Sequence, residues 1–138
     1  MAHFLLKEEP SHYSFVDLVR DGATDWSGVH NALALRHLRA IRRGEQGLYY
    51  HSGSERSAVG IIRALGAPYP EPGDPRHSFS VRVGPVRALR RPLSLAEMRA
   101  VPGFAAYDLF RVGRLSVAPV PEPVWRKVLA LERSISEG

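Results

Sequence analysis

The chain has 138 residues, of which 44% are hydrophobic and 24% charged. That is the balance of a globular domain with a real core, and it excludes a disordered chain. It has no cysteine, so disulfides, thiolate metal sites and a cysteine nucleophile are excluded. The formal charge of +5 is segregated: residues 36–114 hold fourteen Arg against six Asp or Glu, while the two ends together are net −3. A basic middle favours a polyanionic partner, because neutralising phosphates releases their counterions.

In chain order, HFLLKEE reads as an opening strand. Its apolar run is too short, and its acidic pair too early, for a signal peptide, and no later segment approaches membrane-spanning length. The expected location is the cytoplasm, with no membrane partner. SFVDLVRDG predicts a short helix with Ser14 as N-cap, Asp17 three residues on and Gly22 just past its end. After the TDWSG turn, residues 31–43 carry the best helical pattern in the chain. Ala34, Leu38 and Ile41, with Leu35 beside them, form an apolar stripe, Arg36, Arg39 and Arg43 recur on another face, and Gly44 is expected to stop the helix. Residues 47–52 and 58–64 predict two antiparallel strands joined by a polar turn.

PYPEPGDP predicts a loop, on its prolines and glycine. FSVRVGPVRAL alternates Phe79, Val81 and Val83 against Ser80 and Arg82, the pattern of a strand with one buried face. SLAEMRAV carries the S-x-x-E capping box of a short helix, and LFRVGRLSVAPV predicts a strand or a hairpin around Gly113. PVWRKVLALER closes the chain with a helix burying Val124, Val128 and Leu131. Without internal repeats, this order predicts an α+β fold, a small β-barrel with helices inserted between its strands, over one domain spanning residues 1–138.

The six histidines show no HxxxH or HExxH arrangement, and the chain has neither GxxxxGK nor GxGxxG, so no metal and no cofactor is expected. His51 beside Ser52, with His30 elsewhere, offers the parts of an acid–base or nucleophilic site, as a small hydrolase or ribonuclease would need. A histidine at a strand end more often serves as a hydrogen-bonding residue. Trp26 follows a turn and stands outside the apolar stripe of the next helix. It either plugs the end of a core or gives a planar base a stacking wall, worth roughly 1–3 kcal/mol per base. Asn31 suits the N-cap of the following helix and also a carboxamide presented to a base edge. The stripe of Arg36, Arg39 and Arg43 is either a solvated face or a phosphate track, which would add affinity without sequence information.

Eight segments, FLLKEEP, YSFVDL, WSGVHN, YYHSG, VGIIRA, YPEP, RPLSLAEM and GRLSVAPV, in this order and spacing, resemble the EVE domain of the PUA-like superfamily, which is related to YTH domains. The resemblance implies a small β-barrel wrapped by helices, with no enzymatic activity, that binds DNA or RNA and accepts a single, often chemically modified, base in a pocket. Carried over by position, Lys7, Trp26, Ser27, Asn31, His51 and Ser52 fall in the pocket-forming motifs, Arg114 and Ser116 fall near them, and the arginine helix becomes a basic flank. The sequence departs from the family pattern at Phe4, where a Trp is usual, and at Glu8, where a small hydroxyl residue is usual. It departs again at His30 in place of an arginine and at Ala32, Leu33 and Leu35 in place of polar or aromatic residues. A carboxylate at Glu8, facing inward, would repel phosphate or accept a hydrogen bond from a base. The other readings open to this fold are the hydrolase built on His51 and a domain for a small molecule or a protein partner.

Overall fold

The computed structural model describes residues 2–29, 31–73, 78–102 and 116–133. The first strand, β1 (His3–Glu8), pairs in parallel with β3 (Gln46–His51) and antiparallel with β7 (Val117–Val120). Covered on both faces, it buries Phe4, Leu5 and Leu6 in succession, as a central strand does. A parallel pair needs a crossover between its strands. Here it is the whole run of α1 (Phe15–Asp21), β2 (Thr24–Trp26) and α2 (Ala32–Arg39).

The α1 caps form as expected: Asp17 N–H donates to the Ser14 hydroxyl, Ser14 N–H donates to the Asp17 carboxylate, and Gly22, at φ 79°, closes the helix by donating to Leu18 O. The α2 helix is shorter than its pattern predicts, ending at Ala40. The amides of Ala40 and Ile41 reach back three residues, to His37 O and Leu38 O, which tightens and ends the last turn. Arg42 N–H donates to the Glu45 carboxylate at 2.8 Å, and Gly44, at φ 88°, donates to Ala64 O. Gly44 therefore serves the turn into β3, and Arg43 stands beyond the helix.

β3 and β4 (Ser57–Ala64) pair antiparallel, as predicted. The long β6 (Phe79–Ser94) runs along β4 and pairs at its first end with β2 and with β5 (Tyr69–Pro70). β5 falls in the segment expected to be a loop. Its proline is tolerated on an edge, where its missing N–H leaves no ladder bond unmade. Pairing with β5 also buries Ser80, expected on the outer face, while Val81, Arg82 and Val83 alternate as predicted. The strand order is β2-β6-β4-β3-β1-β7. Irregularities between Ala58 and Gly60 and between Ile61 and Ile62 help curl the mixed sheet into a half-barrel.

Residues 109–115 of the predicted hairpin lie outside the described residues. α3 (Leu95–Arg99) carries both bonds of its Ser94/Glu97 capping box. The last helix, α4 (Glu122–Arg133), buries Val124 and Val128 as expected, and with them Trp125, whose place in this amphipathic helix also marks it as core and which stacks on the His3 ring at 4.0 Å. Leu131 is only partly buried, and Glu132 beside it is fully buried. Among the described residues no helix is long and apolar enough to cross a membrane.

Candidate functional site

A cavity of about 160 Å³ opens between the end of β1, the turn after it, and β2. Among the described residues its walls are Glu8, His12, Tyr13, Thr24, Asp25, Trp26 and Ser27. Trp26 is held in place by the ladder between β2 and β6, where it lies opposite Val81, and by Tyr49 behind it, edge-on at 5.8 Å. Tyr49 is fully buried, and its hydroxyl donates to Tyr13 O at 2.7 Å. Burial, with the Glu8 carboxylate acting in the same sense, pushes the Tyr49 hydroxyl well above its ordinary range, so it remains a neutral donor. One core side chain thus supports the tryptophan wall and the Tyr13 wall together.

The turn is fixed by its own backbone, since the amides of His12 and Tyr13 both donate to Glu9 O. Tyr13 OH then donates to the Asp21 carboxylate at 2.7 Å, which ties the turn to the end of α1. On the other wall, Gly28 takes φ 73° and turns the chain away after Ser27.

The walls are acidic. Glu8 accepts from Glu9 N at 2.9 Å and lies 3.1 Å from His12 Nδ1, and Asp25 pairs with Arg82 at 3.2 Å on the open side. Among the described residues no Lys or Arg lines this cavity.

Of the residues predicted from sequence, the structure places Trp26 and Ser27 together on the cavity. Lys7 lies on the opposite face of β1 from Glu8, since neighbours in a strand point to opposite sides. Partial burial lowers its ammonium pKa, and its amide donates to Ser116 O. Asn31 is the N-cap of α2, accepting from Ala34 N at 3.0 Å. His51 is buried, with both ring nitrogens engaged. Phe15 N–H donates to Nε2 at 3.0 Å, which puts the ring proton on Nδ1, facing Glu55 at 3.1 Å. It satisfies the first orphan amide of α1. Ser52 is joined to β1 through its amide, which donates to Glu8 O. Arg114 lies outside the described residues, as does His30.

Lys7, Asn31, His51, Ser52 and Ser116 do not line the cavity. Sequence reasoning missed Tyr13, His12, Thr24 and Asp25 as wall residues. Part of the signal was available: Thr24 and Trp26 share one face of β2 by strand alternation. Arg36 and Arg39 are exposed on α2 and border an open groove of about 540 Å³, and Arg39 stacks over the Phe79 ring at 4.3 Å. Arg43 is exposed in the turn after the helix.

With this geometry in place, the chain can be set beside known proteins. The family model of the EVE domain matches residues 2–131. Thymocyte nuclear protein 1 of Gallus gallus is 30% identical over 94% of this chain and 68% of its own length. A protein from Rhodopseudomonas palustris superposes with a TM-score of 0.87 at 34% identity, covering 96% of this chain and 93% of that one. The structure of human THYN1 protein in complex with 5-methylcytosine containing DNA superposes with a TM-score of 0.86 at 27% identity, covering 98% of this chain and 99% of that one.

Proposed function

Because the chain belongs to the EVE domain family, we propose that it binds nucleic acid without cleaving it and takes a single modified base into the cavity against Trp26. The observation that carries this reading is a tryptophan ring on the wall of a cavity at the convergence of three chain segments. A base placed face-on against an indole gains roughly 1–3 kcal/mol. The human THYN1 protein, which shares the fold, is seen with DNA containing 5-methylcytosine, and that base is the first to try here.

A catalytic reading gains no support from His51, whose nitrogens are both spent on holding α1 and Glu55. The phosphates belong outside the acidic cavity. Arg36, Arg39 and Arg43 are the exposed cations proposed to meet them.

The test uses two single-stranded DNA oligonucleotides identical except for one position, 5-methylcytosine in one and cytosine in the other. The methylated strand should bind more tightly, and binding of both should weaken as salt rises, by about 0.7 log units per decade of salt for each phosphate contacted. Replacing Arg36, Arg39 and Arg43 together with alanine should lower that slope by up to about 2 units and weaken both strands alike. Equal affinity for the two strands would remove the modified-base reading. An unchanged slope in the triple variant would assign these arginines to a solvated face.

A further inference from the structure

The cavity has no Lys or Arg among its described walls, although the rest of the proposed site is cationic. Its innermost charged group is Glu8, whose side chain is 24% exposed. Glu8 Oε1 accepts from Glu9 N and Glu8 Oε2 pairs with His12, itself 77% exposed on the rim. A carboxylate has about four acceptor positions and no donor, so two of them remain for a ligand. Asp25, the other carboxylate, is 48% exposed and pairs with Arg82 on the open side, where water competes for its remaining positions.

A group held against Glu8 therefore meets an acceptor, while the Thr24 and Ser27 hydroxyls elsewhere on the wall can donate as well as accept. A phosphate or a keto oxygen would place lone pairs against a carboxylate, whereas an amino group would donate to it, as the N4 amino group of cytosine does to Glu or Asp in duplex recognition. Indole stacking is blind to this difference, since amino and keto pyrimidines present similar π faces.

We propose that Glu8 is the specificity-determining residue of the cavity, and that it selects a base carrying an exocyclic amino group over one carrying a keto group at the same position. The proposal rests on the reading of the cavity as a base site and deepens it. The base lies against Trp26, and its amino hydrogen points to the free side of the Glu8 carboxylate.

5-Methylcytosine and thymine share their 5-methyl group and differ in the amino or keto group at position 4, so they isolate this contact. Three single-stranded oligonucleotides, with 5-methylcytosine, thymine or an abasic residue at one position, are titrated against the protein and its Glu8→Gln and Glu8→Ser variants. The unaltered protein should prefer 5-methylcytosine to thymine by roughly ten- to a hundredfold, the scale of one hydrogen bond to a charged acceptor.

In Glu8→Gln the amide can rotate to offer either an oxygen or an N–H, so the preference should fall to within about threefold. In Glu8→Ser the acceptor charge is gone, and the preference should fall as far. Melting temperature and salt slope should stay as they were in both variants, which separates loss of reading from loss of fold. Equal binding of 5-methylcytosine and thymine by the unaltered protein overturns the proposal, as does a preference that survives both substitutions. In those cases, weaker binding of the abasic strand leaves the base site standing without Glu8 as its reader. An abasic strand bound as tightly as the others removes the base site and the proposal together.

Discussion

Arg87→Ala is expected to lower stability by about 3–5 kcal/mol, more than removing its partner Glu132 does. Glu132 is fully buried under α4 and accepts two bonds from the Arg87 guanidinium, at 2.8 and 2.5 Å, and a third from Arg90 N at 2.8 Å. These donors, the Arg87 hydrogen bonds foremost, hold its carboxyl below the usual range against the opposing effect of burial. Arg87 itself is 43% exposed, which makes the pair asymmetric. Without Glu132 the guanidinium turns to water, while without Arg87 the carboxylate stays buried with one backbone amide. Glu132→Leu, which fills the volume with an apolar side chain, should therefore cost less than Arg87→Ala.

The pH dependence follows the same logic. Because Glu132 has a depressed pKa in the folded protein, its contribution is present above its unfolded value, near 4.3, and is lost as pH falls through the folded one. In Arg87→Ala burial raises that pKa instead, so acid relieves the strained carboxylate. The gap between variant and unaltered protein should begin to narrow as pH falls through the variant's raised value, above about 4.3, and go on narrowing down to the depressed value of the unaltered protein. Thermal unfolding at neutral and acid pH checks both points, with a neutral-pH shift on the order of 10 °C. A gap independent of pH would mean that Arg87 acts by packing alone.

What the sequence made legible was what local chemistry decides. Ser14 with Asp17 and Ser94 with Glu97 each close a capping box within four residues, so both helix starts could be read directly. The β3–β4 pair is local too, two apolar runs flanking one polar turn. The end of α2 was not legible, because Gly44 looks the same whether it stops a helix or turns into a strand, and the Glu45 carboxylate on Arg42 N decides between them. β5 exists because the edge of β6 accepts it, and nothing in a proline-rich segment announces that. Glu132 sits in an amphipathic helix where a charge reads as solvated, and its partner lies 45 residues upstream.

The candidate site divides in the same way. Trp26 and Ser27 came with their motif, and Glu8 drew notice only as a departure from the family pattern. Tyr13 and Asp25 are brought to the cavity by the crossover between β1 and β3, which no spacing in the sequence encodes. His51 looked chemical, yet the same crossover sets α1 over it, and its ring caps that helix.

Trp26→Ala is expected to damage both fold and binding, and the two losses can be separated. The ring is 6% exposed and packs edge-on against Tyr49, so its removal should cost about 3–5 kcal/mol of stability, a drop on the order of 10 °C in melting temperature. The core-plug and stacking-wall readings of this residue therefore need not compete, because a ring mostly buried still forms part of the cavity wall. If a base stacks there, the variant measured well below its melting temperature should lose roughly 1–3 kcal/mol of affinity for the strand carrying 5-methylcytosine. It should lose less for unmodified cytosine and nothing for an abasic strand. Trp26→Phe keeps an aromatic face and most of the buried volume, so it should melt closer to the unaltered protein and retain part of the preference. An equal loss for all three strands in Trp26→Ala, restored in proportion to melting temperature by Trp26→Phe, would leave Trp26 as core alone. A loss graded by what the strand offers at that one position would place the base against the indole.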